Sequence, residues 1–77
     1  MKNWGIIYNR QRPGAENVIR ELAVWLKDHG IAPVIEQGIK LEGFQCAADI
    51  EVAKNCELLL ALGGDGTILR SVHLMGQ

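Results

Sequence analysis

The residues with the clearest chemical potential form one short turn, Gly63-Gly64-Asp65-Gly66-Thr67. Glycine makes up about 7% of residues in proteins, so three glycines at set places in four positions arise by chance in roughly 3 of 10,000 windows. Such glycines let the backbone take unusual dihedral angles and approach a ligand closely, as at helix N-termini that bind phosphate. The turn therefore predicts a site for phosphate or ribose oxygens.

Asp65 is the chemically active group of this turn. A carboxylate there could accept a hydroxyl proton or contact magnesium carried by a nucleotide, and both roles suit phosphoryl transfer. A structural alternative is a tight turn in which Asp65 or Thr67 caps the following helix, which explains the acidic residue better than the glycines. The chain has neither Gly-x-x-x-x-Gly-Lys-Ser/Thr nor Gly-x-Gly-x-x-Gly, which excludes a P-loop and the usual dinucleotide fingerprint.

Three short apolar segments predict the strands that position this turn. They are Trp4–Tyr8, Ala32–Glu36 and Leu58–Leu62. Pro33 is tolerated in the second segment only at the start of the strand or along a sheet edge, because proline has no backbone N–H to donate to a neighbouring strand. The third segment is a continuous apolar run, typical of a central strand that is covered on both faces of a parallel sheet.

Helical patterns separate these strands. Between Gly14 and Gly30, and again from Gly66 to Gly76, apolar residues recur every three or four positions, which predicts two amphipathic helices. Residues 37 to 48 show no stable period and predict a mobile loop, with a short helix between Ala47 and Asn55. Alternating strands and helices predict a parallel α/β sheet, with the glycine turn at its carboxyl edge, where ligands bind.

Composition limits the classes of function. At about 150 residues per domain, 77 residues exclude a complete two-domain enzyme, while 48% hydrophobic and 22% charged residues exclude a disordered chain. The net charge of −1, without a basic run, predicts no nucleic-acid or membrane partner. Cys46 and Cys56 lack the spacing of a zinc or redox site, and no apolar run reaches membrane-span length, so we expect a cytoplasmic protein.

The stretch from Leu58 to Arg70 closely resembles the apolar strand and Gly-Gly-Asp-Gly-Thr turn of NAD kinases. The preceding layout of strand, helix, strand and variable loop is also similar to the N-terminal domain of that family. The Gly-Gly-Asp-Gly core is shared with diacylglycerol and sphingosine kinases and with phosphofructokinases, but the flanks look most like NAD kinase. The resemblance implies a Rossmann-like three-layer parallel sheet, with residues 1–77 as part of the N-terminal domain of a two-domain kinase.

The resemblance also implies an activity and a set of residue roles. The family transfers a phosphoryl group from ATP with Mg²⁺, or from polyphosphate in some members, to the adenosine ribose 2′-hydroxyl of NAD, giving NADP. By this resemblance Asp65 is the general base, Gly66 helps to hold NAD, and Arg70 is a basic nucleotide contact. The same likeness places Gly63, Gly64 and Thr67 in the nucleotide-binding turn. We assign no residue as a metal ligand, because Mg²⁺ is expected to arrive with ATP.

One departure from the family pattern is large. Family members continue into a mainly β domain that supplies an Asn-Glu dipeptide, and the 77 residues contain no such dipeptide. We therefore expect the isolated chain to lack kinase activity, because the domain that orients the substrate is missing, and we expect homo-oligomers only of the full-length family members. Two alternatives remain open: a segment of a lipid or sugar kinase, or a flavodoxin-like binding module in which the turn has no ligand.

Overall fold

Strands and helices alternate along the chain in a computed structural model that describes residues 2–9, 11–39 and 41–76. Their bounds are β1 Lys2–Tyr8, α1 Ala15–Asp28, β2 Ile31–Glu36, β3 Gln45–Ala47, α2 Asp49–Asn55, β4 Leu58–Leu62 and α3 Asp65–Met75. All described strand pairs are parallel. The predicted parallel α/β fold is confirmed. None of the described helices combines the length and apolar character that crossing a bilayer requires.

The strand order is β3-β2-β1-β4. The chain builds outward from β1 to β3 and then returns past β1 to place β4 on the other side, which is the order of a Rossmann-like half-sheet. A flavodoxin-like sheet would instead place β3 directly beside β1. The flavodoxin-like alternative is therefore wrong about the topology, and the reversal creates a switch point between β1 and β4.

The register brings the ends of β1 and β4 to the same level. Tyr8, the last residue of β1, pairs with Leu62, the last residue of β4. The backbone N–H of Asn9 extends this pairing by donating to the Leu62 carbonyl at 3.1 Å. Consequently the loop after β1 starts beside the glycine turn, at the switch-point edge where ligands bind in open α/β sheets.

Side chains of β1 alternate between two hydrophobic clusters on opposite faces of the sheet. Ile6 and Tyr8 pack in the cluster beneath α1, whereas Ile7 packs in the cluster with Val52 of α2. The helix α1 contributes three fully buried residues, Ile19, Ala23 and Leu26. Helices thus cover both faces, as expected for three layers.

Two sequence expectations about the sheet were wrong. β4 is at an edge of the described sheet and pairs only with β1, although a central position was expected. Its leucines still alternate between the two clusters, which accounts for the continuous apolar run. The segment expected to be a loop contains the short strand β3, whose three residues are too few to show a period. Pro33 behaves as expected, since pairing of β2 with β3 begins only at Val34.

Candidate functional site

A cleft of about 410 Å³ opens beyond the carboxyl ends of β1 and β4, within the usual range of roughly 300 to 1,000 Å³ for ligand pockets. The residues around it come from the loop after β1, the end of β2, and the glycine turn with α3. They are Tyr8, Asn9, Gln11, Glu36, Gly64, Gly66, Thr67 and Arg70. The structure therefore gathers most of the residues singled out from the sequence around one concave site.

Gly63 is required by the fold. Its φ of +148° is rarely adopted by other residues, and a Cβ there would lie 2.7 Å from Thr67 Oγ1 and 3.1 Å from the Asn9 Cβ. Thr67, only 6% exposed, fills the space beside this glycine from the first turn of α3. Gly63 and Thr67 thus act together to bring the turn close to the loop after β1.

Gly64 and Gly66 are not required by the fold. Both are exposed, and a Cβ added at either would meet nothing within 4 Å. Gly64 has φ −89° and ψ −165°, an extended conformation that any residue can adopt. The protein itself therefore gives no steric reason for these two glycines. Close approach of a ligand to the backbone is such a reason.

The N-terminus of α3 has no side-chain cap, so the expectation that Asp65 or Thr67 caps the helix is wrong. The backbone N–H groups of Thr67 and Ile68 both donate to the Gly64 carbonyl, at 3.1 and 3.3 Å. In the described parts of the chain, the N–H groups of Asp65 and Gly66 make no such backbone bond. Two donors and the exposed Asp65 carboxylate therefore stand together at the positive end of the helix dipole.

Arg70 projects from α3 into a cluster of protein acceptors. Its Nη1 donates to Glu36 Oε2 and, at 3.2 Å, to Asp49 Oδ2. Its Nη2 donates to the Tyr8 carbonyl at 2.8 Å and to Glu36 Oε1 at 3.0 Å. The backbone N–H of Tyr8 also donates to Glu36 Oε1, at 3.2 Å. The guanidinium and the Glu36 carboxylate therefore form a two-pronged pair, the strongest geometry for such groups.

This pairing determines the electrostatics of the cleft wall. The hydrogen bonds to Glu36 raise the pKa of the Arg70 guanidinium, partial burial opposes the rise, and Asp49 adds to it. Arg70 therefore stays charged and compensates the Glu36 carboxylate, whose side chain is 4% exposed. The nucleotide contact expected of Arg70 stays a prediction, because its Nη groups are directed to protein acceptors.

The sequence did not lead us to predict Glu36 and Asp49 as residues of the site. The available signal was Glu36 itself, a charged residue that ends an apolar strand on the edge where ligands bind. No comparable signal marks Asp49, because an acidic residue in the first turn of a helix is common there. Their connection to Arg70 spans 34 and 21 positions, so no local pattern reveals it.

A larger cavity of about 1,120 Å³ lies between α1 and the segment that follows β2. Its lining includes Val24, Leu41 and Phe44, and it shares no residue with the switch-point cleft. Gly64, Gly66 and Thr67 of the glycine turn line the smaller cleft, whereas Asp65, exposed between the two glycines, is not among its lining residues. We therefore take the smaller cleft as the candidate functional site.

The donor set permits a magnesium ion that arrives with a nucleotide. Among residues 2–9, 11–39 and 41–76, no three or more His, Cys, Asp or Glu side chains are grouped so that they could hold a metal ion. Magnesium bound to nucleotide phosphates needs only one or two protein carboxylates. Asp65 offers one exposed carboxylate next to the cleft-lining Gly64 and Gly66, whereas Glu36 is engaged by Arg70.

Comparison with known proteins identifies relatives of one kind. The NAD kinase of Chlorobium phaeobacteroides is 38% identical over 72 residues, which cover 91% of this chain and 25% of the relative. The NAD kinase of Solibacter usitatus is 34% identical over 100% of this chain and 28% of its own length. That of Geobacter sulfurreducens is 30% identical over 99% of this chain and 28% of its own length.

The chain spans about a quarter of the length of these curated relatives. No family model matches the chain, and no solved structure matches it. The resemblance inferred from the glycine turn and its flanks is nevertheless confirmed by relatives that align along nearly the whole chain. This chain is therefore a homologue of the NAD kinases, matched over a segment equal to about a quarter of their length.

Proposed function

We propose that this chain is the N-terminal nucleotide-binding segment of an NAD kinase, which transfers a phosphoryl group from ATP to the adenosine ribose 2′-hydroxyl of NAD. The observation that carries the proposal is the pair Gly64 and Gly66 on either side of Asp65. The fold does not need these glycines, and they border a cleft at the switch point of the sheet. A nucleotide that approaches the backbone there would account for both.

Asp65 has the properties required of the base. Its side chain is exposed, and it lies in the chain between Gly64 and Gly66, which line the cleft. A ribose hydroxyl bound there could come within the hydrogen-bond distance of about 2.6 to 3.2 Å. Asp65 occupies the first helical position of α3, beside the backbone N–H groups at the helix N-terminus. Asp65 would take the 2′-hydroxyl proton as the oxygen attacks the phosphoryl group.

The backbone N–H groups of Asp65 and Gly66 would make a second contribution to catalysis, by binding oxygens of the nucleotide. They are aligned donors without a backbone partner in the described chain, and such donors stabilise phosphate or ribose oxygens at a helix N-terminus. Mg²⁺ bound with ATP would neutralise charge on the transferred group, and the exposed Asp65 carboxylate could contact it. Gly64 and Gly66 would leave room for the ligand to reach these donors.

The isolated chain should bind nucleotide without turning it over. It spans about a quarter of its relatives' length, and its cleft is open to solvent. Holding two reactants in line contributes about 7 to 11 kcal/mol to catalysis, and a second domain of the complete enzyme would supply this orientation. Homo-oligomers of the complete enzyme remain a prediction from the resemblance, and a cytoplasmic location remains a prediction from the cysteine spacing and the short apolar runs. The relatives are NAD kinases, so we do not extend the proposal to lipid or sugar kinases.

A chimaeric enzyme tests the proposal. The matched segment of the Chlorobium phaeobacteroides NAD kinase would be replaced by this chain, and NADP formation from NAD and Mg-ATP would be followed with an NADP-specific dehydrogenase. We expect an active chimaera, and a loss of about 10² to 10⁴ in rate for Asp65→Asn because base catalysis is removed.

Asp28→Asn is the matched control, because Asp28 is an exposed aspartate at the far end of α1. It should leave the rate unchanged. A folded chimaera without activity would contradict the proposed function. Equal rates for the Asp65 and Asp28 variants would remove Asp65 from the role of base.

A further inference from the structure

One side chain connects α3 to three other elements. Arg70 lies in the second turn of the helix that begins with Asp65. Its guanidinium hydrogen bonds to Glu36 at the end of β2, to the carbonyl of Tyr8 at the end of β1, and to Asp49 at the start of α2. Glu36 in turn accepts from the N–H of Tyr8. The cluster thus joins the helix that carries Asp65 to the carboxyl ends of both internal strands.

Apolar packing of this helix is limited. Ile68, Leu69, Val72 and Met75 are 50%, 69%, 67% and 53% exposed, and Thr67 is the buried residue of α3. Leu74 is partly buried and packs against the cluster that contains Val52. A helix held mainly by apolar contacts would bury a continuous stripe of side chains. The directed contacts of Arg70 therefore carry much of the positioning of α3 relative to the sheet.

The chemistry of the pair also favours positioning over general stability. Glu36 is 3% exposed, and a buried ion pair contributes little net stability compared with apolar residues of similar volume. The planar guanidinium instead fixes both distance and direction, because its two prongs match the two carboxylate oxygens. A pair of this kind is well suited to hold a functional turn at a defined place.

We propose that Glu36 and Arg70 are positioning residues, which hold the N-terminus of α3 at the correct distance from the loop after β1 for a nucleotide to bridge them. The inference rests on the proposed function, since the positioned site is the nucleotide cleft. It assigns Arg70 a role opposite to that of a phosphate ligand. A ligand role through the Nη groups needs them released from Glu36, whereas positioning needs them retained.

Glu36→Gln separates these roles by the sign of its effect. If Arg70 binds phosphate, removing the competing charge of Glu36 should strengthen binding of NAD. If the pair positions α3, the same change should weaken binding by about three- to tenfold, the equivalent of one hydrogen bond lost from a displaced donor. Arg70→Lys adds a second test, because lysine keeps the charge but loses the two-pronged geometry.

The experiment uses the ¹⁵N-labelled 77-residue chain titrated with NAD and followed by amide NMR spectra. We expect Glu36→Gln and Arg70→Lys to shift the ligand-free amide signals of residues 64–67 and to weaken NAD binding. Arg20→Met is the matched control, because Arg20 forms an exposed pair with Glu16 on α1 at 3.0 Å. It should change neither readout.

Tighter NAD binding by Glu36→Gln, or unchanged 64–67 signals in both variants, would overturn the inference. Both substitutions approximately preserve side-chain volume, so the test does not depend on a truncation that unfolds the chain. Absence of NAD binding by the wild-type chain would count against the proposed function alone. In that case the ligand-free signals of residues 64–67 still decide whether Glu36 and Arg70 position the turn.

Discussion

The helices α1 and α3 cover the same sheet but are held to it in different ways. Ile19, Ala23 and Leu26 of α1 are fully buried, and the helix meets its cluster through apolar contacts. In α3 the apolar residues are largely exposed, and Arg70 makes the directed contacts. The scaffold half of this fold therefore depends on burial, whereas the half that carries the candidate site depends more on polar geometry.

Leucine truncation in each helix should show the largest contrast. Leu26→Ala removes a fully buried side chain and should lower the free energy of unfolding by about 3 kcal/mol, through lost transfer energy and the cavity left behind. Leu69→Ala removes a side chain that is 69% exposed and should change it by less than about 0.5 kcal/mol. Urea denaturation measures both. Equal losses would show that α3 is packed as tightly as α1.

Truncation of an arginine should cost more stability in α3 than in α1, the reverse of the order expected for leucine. Arg70→Met leaves Glu36 buried without its cation, and we expect a loss of about 2 kcal/mol, reduced from the usual buried-pair value because the Arg70 side chain is 33% exposed. Arg20→Met breaks an exposed pair on α1 and should cost less than about 0.5 kcal/mol. Urea denaturation again measures the difference, and similar losses for the two arginines would contradict it.

The stability difference between wild type and Arg70→Met has an expected dependence on pH, which urea denaturation at several pH values measures. The pKa of Arg70 is raised in the folded state, so its stabilising contribution is fully present below the ordinary pKa of arginine and is lost only as pH rises through the raised value. Between roughly pH 6 and 9, the Arg70 charge should therefore add no slope to the difference between wild type and Arg70→Met.

Alanine substitution at two glycines of the turn should give the smallest of the three differences in the free energy of unfolding. Gly63→Ala forces a Cβ to 2.7 Å from Thr67 Oγ1 at a φ of +148°, and we expect a loss of about 1 to 2 kcal/mol. Gly64→Ala meets nothing within 4 Å and should leave thermal unfolding nearly unchanged while weakening NAD binding in the NMR titration. Unaltered NAD binding by Gly64→Ala would contradict the interpretation that this glycine makes room for a nucleotide, on which the proposed function depends.

Much of the scaffold was predictable because its signals are local. The bounds of β4 at Leu58 and Leu62 and the start of α1 at Ala15 follow from apolar periodicity and glycine punctuation. The edge position of β4 was not predictable, because an apolar pattern on both faces indicates burial of the strand but not the number of strands that pair with it. The three residues of β3 gave no period, and their polar first residue resembles a loop.

The candidate site was predictable only in part. The glycine turn is a contiguous signal, so its position beyond β4 follows directly from the sequence. The partners of Arg70 do not, since Glu36 and Asp49 are brought to it only by the strand order and by the packing of α2 beside α3. The sequence also does not distinguish the roles of the glycines, because Gly63 and Gly64 differ only in backbone angle and in surrounding space.

The contact between Arg70 and the Tyr8 carbonyl has a consequence for synthesis of the chain. It joins positions 62 residues apart, nearly the full length of the 77-residue sequence. A growing polypeptide can form the β1–α1–β2 unit early, from neighbouring residues, but it cannot complete this contact until α3 has left the ribosome. Long-range contacts of this kind slow folding, so the cleft should form after the β1–α1–β2 unit. Nucleotide binding would then report on the docking of α3 rather than guide the folding of that unit.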